Sequence, residues 1–439
     1  MNIIIAGAGK VGFNLAKVLS ISHNVTIIDI NAEALHRIQE DIDVMAINGD
    51  AEDINVYQEI KNINIDLFIA VTNVDNTNLV ASLVSDTVLN IEKKIIRLKK
   101  EIFRNQHIKD KFNIDKFIFP IDLASRAISS LLAYPKANNI KFFKYTRYEL
   151  VSIMVGDNFV PKVINEENFK IIGIERDKKF FIPSKDKIEI IANDLLYLFG
   201  LEEDIKSIYK IVNINKDFNI NRCVVVGGSN LGIAIAKKLI EADCSVKLLE
   251  KDVEICQIAD EKLEGKVSVI NTKYNSHDVF KNESLDSADI FISTTEDDEF
   301  NIIKSLEAKE NGIKKVVAIN NDLEYYGLMH SLGIVAIRGP KISAYNKIME
   351  EINSNKIVIQ KSFCGSKAYI FIRKIFPDSK LIGATIKLQK RVDNTILFFI
   401  RDERLYGDLE NIELQANDLI VAFSASQNSQ QIKDWLYEL

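Results

Sequence analysis

The sequence predicts an α/β fold built twice: two Rossmann-like doubly wound parallel sheets, each followed by a small β-rich α+β domain. Three observations carry this expectation. Short bare apolar runs alternate with helical patterns, as parallel strands with helices on both faces require. The first run opens directly onto Gly7-Ala8-Gly9-Lys10-Val11-Gly12, and a related opening, Gly227-Gly228-Ser229-Asn230-Leu231-Gly232, returns in the second half.

Residues 3–6 read as a strand, and Phe13, Leu15, Ala16, Val18 and Leu19 fall at helical spacing after the glycine loop. Val25 to Asp29 gives a second buried strand ending in an acid, and Ala32 to Gln39 a helix. Val44 to Ile47, Leu67 to Val71 and Ile95 to Leu98 supply further strands, with a helical pattern from Asn78 to Val88. A helix from Asp122 to Leu132 ends before Pro135. Leu150 to Val155, Ile171 to Glu175, Ile188 to Ile191 and Leu195 to Phe199 then read as strands of a smaller domain.

After a polar stretch from Asn213 to Asn221 the chain begins again at Cys223. Lys247-Leu248-Leu249-Glu250 matches Thr26-Ile27-Ile28-Asp29, and Thr295, Asp298 and Asn301 match Thr72, Asp75 and Asn78. Pro340 matches Pro120, and Ala416-Asn417-Asp418-Leu419 matches Ala192-Asn193-Asp194-Leu195. A repeat of this length defines the organisation before any single motif does. The expected boundaries are 1–122 and 222–338 for the Rossmann-like domains, 123–140 and 339–355 for crossover helices, 141–212 and 356–439 for the β-rich domains, and 213–221 for a linker.

At 439 residues the chain exceeds the roughly 100–200 residues of one ordinary domain. A net charge of −6 argues against sequence-independent binding of nucleic acid, which needs a basic stripe. Cys223, Cys244, Cys256 and Cys364 form no Cys-x-x-Cys pair and read as small buried apolar groups. With no basic leader and no apolar run long enough to span a bilayer, the expectation is a soluble cytoplasmic protein.

The Gly-x-Gly-x-x-Gly pattern gains force from its context: it follows a strand, opens a helix and precedes an acid at the end of the next strand. Gly7 permits the tight turn, Gly9 lets backbone approach a pyrophosphate, and Gly12 permits close helix–strand packing. The helix start, at Lys10 and Val11, supplies free N–H groups and a positive dipole end. Asp29 would accept from ribose hydroxyls and repel a 2′-phosphate, favouring NAD or an adenine nucleotide over NADP; its plainer role is to cap a helix. Lys10 could contact phosphate or remain solvated. Asp50 and Ala51 after the third strand, Thr72 after the fourth and Arg97 on the fifth lie where an open parallel sheet binds ligands. Each also has a plainer role, as turn former, cap or surface ion pair.

The second copy retains Gly227, Gly232 and Glu250 but has Ser229 for the middle glycine, with Asn271-Thr272 near the place of Gly49-Asp50 and Ala318 for Arg97. It could bind a nucleotide weakly, bind a different one, or serve structure alone. The five histidines, His23, His36, His107, His277 and His330, show no metal spacing. No Gly-x-Ser-x-Gly elbow or Walker loop appears. The β-rich segments are short for the substrate domain of an NAD-dependent dehydrogenase or reductase, which stays as the alternative reading.

These motifs, with Asn48-Gly49-Asp50-Ala51, Ala70 to Asn78 and the duplicated order, resemble the TrkA family of Trk-system potassium uptake proteins. These are peripheral subunits built from two RCK modules, regulators of potassium conductance. The first half matches most closely, while Ser229 departs and the first β-rich domain lacks the turn at Leu381-Ile382-Gly383. The resemblance implies β-rich domains of the RCK C-terminal type and a homotetramer on the inner face of the cell membrane, docked on a potassium transporter of the TrkH type. It also implies NAD or NADH, with ATP or ADP as further candidates, bound without turnover: a regulatory subunit and not an enzyme. By position Gly7, Gly9, Gly12, Asp29, Asp50, Thr72 and Arg97 would carry the nucleotide.

Overall fold

A computed structural model describes residues 1–134, 137–143, 145–164, 169–183, 189–212, 220–273, 279–352, 358–386, 395–407 and 412–439. Pro135, Ile188, His277, residues 213–219 of the expected linker and 353–355 of the second crossover helix lie outside the described residues. By contacts the chain forms two compact units, one of residues 1–126, 223–325 and 336–352, the other of 127–222, 326–335 and 353–439.

The first unit holds both parallel sheets. Apolar runs form β1 (Asn2–Ala6), β2 (Asn24–Asp29), β3 (Met45–Asn48), β4 (Ile65–Ala70), β5 (Ile91–Arg97) and the short β6 (Lys116–Ile118), with β1 and β4 the most fully buried. Between them run α1 (Lys10–Leu19), α2 (Ala32–Asp41), α3 (Ile54–Gln58), α4 (Asp75–Val88) and α5 (Gln106–Lys111). The strand order is β3-β2-β1-β4-β5-β6, all parallel, with the order reversing between β1 and β4. Helix α6 (Pro120–Ala133) starts two residues before the sequence expectation, because proline suits the first helical position, where no N–H bond is needed.

In the second unit, β7 (Ala137–Phe143), β8 (Thr146–Met154), β10 (Phe169–Arg176), β11 (Lys179–Phe181) and β13 (Leu195–Gly200) form an antiparallel sheet. The short β9 (Lys162–Val163) and β12 (Glu189–Ile190) pair separately. Helix α7 (Glu202–Ile211) closes this domain and was not foreseen. Its signal was present: three acids in its first turn suit a helix N-terminus, and buried Ile205, Ile208 and Val212 follow helical spacing.

The repeat supplies β14 (Arg222–Val226), α8 (Asn230–Glu241), β15 (Ser245–Glu250), α9 (Val253–Leu263), β16 (Ser268–Asn271) and α10 (Val279–Asn282). It continues with β17 (Ile290–Ser293), α11 (Asp298–Glu310), β18 (Lys315–Asn320), α12 (Tyr326–Ser331), β19 (Val335–Arg338) and α13 (Pro340–Ile352). The sheet order β16-β15-β14-β17-β18-β19 repeats that of the first copy. The second β-rich domain comprises β20 (Val358–Phe363), β21 (Ala368–Lys374), β22 (Thr385–Ile386), β23 (Thr395–Arg401), β24 (Arg404–Tyr406), β25 (Ile412–Glu413), β26 (Leu419–Ala425) and α14 (Ser429–Glu438).

Helix α13 of the second copy inserts its buried Ala344 and Ile348 into the core formed by β1, β2 and α1 of the first. Lys93 donates to the Glu351 carbonyl at 3.1 Å, and Lys116 pairs with the Glu351 carboxylate at 3.3 Å, tying the helix to β5 and β6. In the second unit the two β-rich sheets share one aromatic core. Phe199 lies 5.0 Å from Phe423 and Tyr197 5.3 Å from Phe363, ring centre to ring centre. Such aromatic pairs add to the burial of their area.

The repeated Ala-Asn-Asp-Leu has a structural cause. Asn193 and Asn417 take the left-handed conformation, with φ of 66° and 72°. The next residues, Asp194 and Asp418, are buried and clamp Arg176 and Arg401 through both carboxylate oxygens at 2.7–2.9 Å. Each forked pair fixes the turn into the last strand of its sheet. The four cysteines are buried, and none is in a disulfide.

Lys315, at the start of β18, is 7 % exposed, and burial pushes its ammonium down to about 7. The unfolded chain therefore holds a proton that the folded chain has shed between pH about 7 and the ordinary lysine value, about 10.4. The destabilisation is full at or below pH 7 and fades as pH rises through that window. Lys315→Met should raise the chemical denaturation midpoint over the parent at pH 7, with the advantage shrinking toward pH 10. A difference that stays constant with pH would show that the charge is not the cause.

Candidate functional site

The site forms where the strand order of the first sheet reverses, outside the carboxyl ends of β1 and β4. Its turn is built by glycines that answer to different demands. Gly7 has φ of 113°, and a β-carbon there would lie 2.9 Å from the Thr72 nitrogen. A β-carbon on Gly12 would lie 1.8 Å from the Gly7 carbonyl oxygen, so α1 could not start so close to β1. Gly9 is exposed, and a β-carbon on it would meet nothing within 4 Å. The fold sets no demand for glycine at Gly9, while a ligand lying along the turn does.

Asp29 ends β2 and braces this turn. One carboxylate oxygen accepts from the Ala8 N–H at 2.6 Å and the other from the Asn31 N–H at 2.8 Å. Asn31, not Asp29, caps α2. A carboxylate has about four acceptor positions, so Asp29 keeps capacity for ribose hydroxyls. Val11 and Ala51 are buried in the cores on either side of the sheet, so only their backbones face the turn region. Asp50 is exposed and takes the Glu52 N–H at 2.9 Å, acting as turn former.

Arg97 is not the surface ion pair that its plainer reading gave. It is 6 % exposed, and its guanidinium lies over the end of β4, donating to the Val71 carbonyl at 3.2 Å and to Asn73 Oδ1 at 3.5 Å. Its Nε is buried without a hydrogen-bond partner. Burial draws Arg97 below the ordinary arginine range, opposed by the charges of Asp75 and Glu296. A buried donor left unpaired at the carboxyl end of a parallel strand would suit an anion such as phosphate. Lys10 is exposed and engaged, its Nζ 2.8 Å from Asp322 Oδ2.

The reading of single residues missed Asn78, which holds the site together. Its Oδ1 accepts from the Thr72 N–H and Oγ1 at 2.9 and 2.7 Å, and its Nδ2 donates to the Thr72 and Arg97 carbonyls at 3.1 and 2.9 Å. This carboxamide, fully buried, ties the ends of β4 and β5. Asn301 does the same in the second copy, bonding Thr295 and the Ile319 carbonyl. The signal was the repeat itself, which paired Asn78 with Asn301.

Register corrects two pairings made from sequence. Ala70 aligns with Ile96, and Ser293 with Ala318, so Ala318 stands for Ile96 and the buried Ile319 stands for Arg97. Asp29 aligns with Asn48, and Glu250 with Asn271. Asn271 therefore matches Asn48, Thr272 matches Gly49, and Lys273 takes the place of Asp50, reversing its charge. Each one-residue slip arises because the connections between paired strands differ in length in the two copies, longer between β15 and β16 than between β2 and β3 and shorter between β17 and β18 than between β4 and β5.

Gly227 and Gly232 repeat the constraints of Gly7 and Gly12: φ is 105° at Gly227, and a Gly232 β-carbon would lie 1.9 Å from the Gly227 oxygen. Glu250 is buried and already accepts three backbone N–H bonds, from Gly228, Lys251 and Asp252, at 2.6–3.0 Å. The second turn keeps its shape while its ligand groups differ. Among the described residues no group of three or more His, Cys, Asp or Glu is placed to hold a metal, and no helix is long and apolar enough to cross a membrane.

A duplicated parallel sheet with a glycine turn at its reversal point, followed each time by a β-rich domain, defines a two-module protein of Rossmann-like type. The TrkA-N domain profile matches residues 3–120 and again 223–340, and the chain belongs to the TrkA family. It is 27 % identical to the Trk system potassium uptake protein TrkA of Vibrio alginolyticus, over 96 % of this chain and 95 % of that one. It is 31 % identical to TrkA of Haemophilus influenzae over 75 % of this chain and 74 % of that protein. Among solved structures, the GsuK channel gives a TM-score of 0.63 at 15 % identity over 99 % of this chain and 78 % of that one. The GsuK RCK domain gives 0.61 at 14 % identity over 100 % and 95 %, and the fold is thus of the RCK kind.

Asn78→Ala should leave the buried groups at the ends of β4 and β5 unpaired and destabilise the first unit by about 2–4 kcal/mol. Urea denaturation followed by circular dichroism measures this. A midpoint equal to that of the parent would remove Asn78 from its assigned role.

Proposed function

We propose that this chain is the nucleotide-sensing regulatory subunit of a Trk-type potassium uptake system, with its sensor in the first copy. The observation that carries the sensor is the combination of an unobstructed Gly9 and an unpaired Arg97 donor around an otherwise fully determined turn. Family membership supports the potassium system. Structures of the GsuK channel bound to NAD and to ADP support a nucleotide on this fold.

In this reading a pyrophosphate lies along Gly7, Gly9 and Gly12 at the N-terminus of α1. The backbone N–H groups there favour anions. Asp29 takes the ribose hydroxyls, Arg97 approaches phosphate, and Thr72 and Asp50 flank the crevice. NAD or NADH fits the two-phosphate span, with ATP and ADP as competing ligands. The second copy, with Ser229, Ile319 and a Glu250 already engaged by three backbone N–H groups, completes the fold and is not the principal site.

Bound nucleotide shifts the population of assembly geometries by its differential affinity for them, and the assembly passes that shift to a membrane partner. The assembly is a homotetramer on the cytoplasmic face, and the partner is a potassium transporter subunit of the TrkH type. Binding occurs without turnover.

Calorimetric titration of the full chain with NADH, NAD, ATP and ADP tests the site. Gly9→Val and Asp29→Ala should each weaken binding by at least about tenfold, about 1.4 kcal/mol. Ser229→Ala should change it little. Binding by Gly9→Val equal to that of the parent would place the nucleotide elsewhere, and steady oxidation of NADH by added oxidants would sink the regulatory reading.

A further inference from the structure

Of the cationic side chains of the first site, Lys10 pairs with a carboxylate of the second copy, and Arg97 feels the charge of one from each copy, Asp75 and then Glu296. Asp322 Oδ2 lies 2.8 Å from Lys10 Nζ. Glu296, itself 3.2 Å from Lys341, is near enough to act on the charge of Arg97. Asp322 is firmly placed: its own N–H donates to Asp298 Oδ2 at 2.7 Å and to Asn320 Oδ1 at 3.0 Å. Its other oxygen accepts the Glu324 N–H at 3.2 Å.

The arrangement is not reciprocal. Asp75 accepts from the N–H groups of Lys99 and Lys100 as Asp298 does from those of Asn321 and Asp322, so Asp322 corresponds to Lys100. Glu296, next after Thr295, corresponds to Asn73, next after Thr72. In the second copy Lys10 and Arg97 are replaced by Asn230 and Ile319. Acids of the second copy thus face cations of the first, and nothing of the kind runs in the other direction at these positions.

We propose that Asp322 is a specificity-determining residue for the first nucleotide site, setting how much phosphate charge that site accepts and tying its occupation to the contact between the copies. This rests on the assignment of the nucleotide to Gly7–Gly12. A phosphate at the start of α1 competes with the Asp322 carboxylate for Lys10 and is repelled by it, and the repulsion grows with each phosphate charge. A dinucleotide, with its charge spread over two bridged phosphates, meets less of this than a triphosphate. When Lys10 turns to a ligand, Asp322 loses its cation, and the second copy registers the event through the loop that Asp298 holds.

The test is titration of the full chain with AMP, ADP, ATP and NADH, comparing the parent with Asp322→Asn, Lys10→Met and the double variant. Asp322→Asn should tighten ADP and ATP by roughly three- to tenfold per removed unit of repulsion at this range, and AMP and NADH by less. Lys10→Met should weaken ATP most and cancel most of the gain in the double variant. A gain in affinity graded by phosphate charge is not what a lesion in the loop produces. Equal affinities in parent and Asp322→Asn, or a uniform change across the four ligands, would overturn the proposal while leaving the site intact. Absence of nucleotide binding by the parent would overturn both.

Discussion

The carboxyl end of the first sheet depends on one close approach, between the Gly7 carbonyl and the α-carbon of Gly12. Because no side chain separates them, α1 begins directly above the end of β1, and its N-terminal amides open into the crevice beside β4. The Asp29 carboxylate reaches the Ala8 amide only because the turn is this tight, and Thr72 is set by the same contact from the other side. The second copy meets the same requirement at Gly227 and Gly232. Turn shape is therefore a property of the fold, and the proposed nucleotide would be distinguished at Gly9, Asp29 and Arg97.

Comparison of the copies separates two kinds of repetition. The Asn78 and Asn301 carboxamides, and the Arg176–Asp194 and Arg401–Asp418 forks, recur with nearly the same partners and distances. Each satisfies buried polar groups, so its loss leaves polar atoms short of partners. The positions that differ, Gly9 against Ser229, Arg97 against Ile319 and Asp50 against Lys273, are not needed to close the turn. Drift at these positions leaves the sheet order untouched.

The parallel sheets and the duplicated turn were legible because apolar runs, glycines and strand-end acids act locally. Helices α7 and α14 were less legible, since each is short and carries only two or three buried apolar residues at helical spacing beside a β-rich segment. The partner of Lys10 was out of reach, because Asp322 lies far along the chain and meets it only once the two copies pack. The slip that paired Arg97 with Ala318 had a similar origin. Spacing counts residues, whereas hydrogen-bond register counts positions across a sheet, and the two diverge wherever a connecting loop changes length.

Helix α13 gives the duplication a consequence of its own. It belongs to the second copy by sequence, yet its Ala344 and Ile348 finish the core of the first. A chain that stopped after the first β-rich domain would leave an apolar stripe on α1 uncovered, and could cover it only by borrowing the helix of another molecule. Joining two modules in one polypeptide turns that loan into an internal exchange, independent of protein concentration. The number of modules is thereby counted in pairs, and a deletion that removed one module would alter how molecules recognise each other before it altered any ligand.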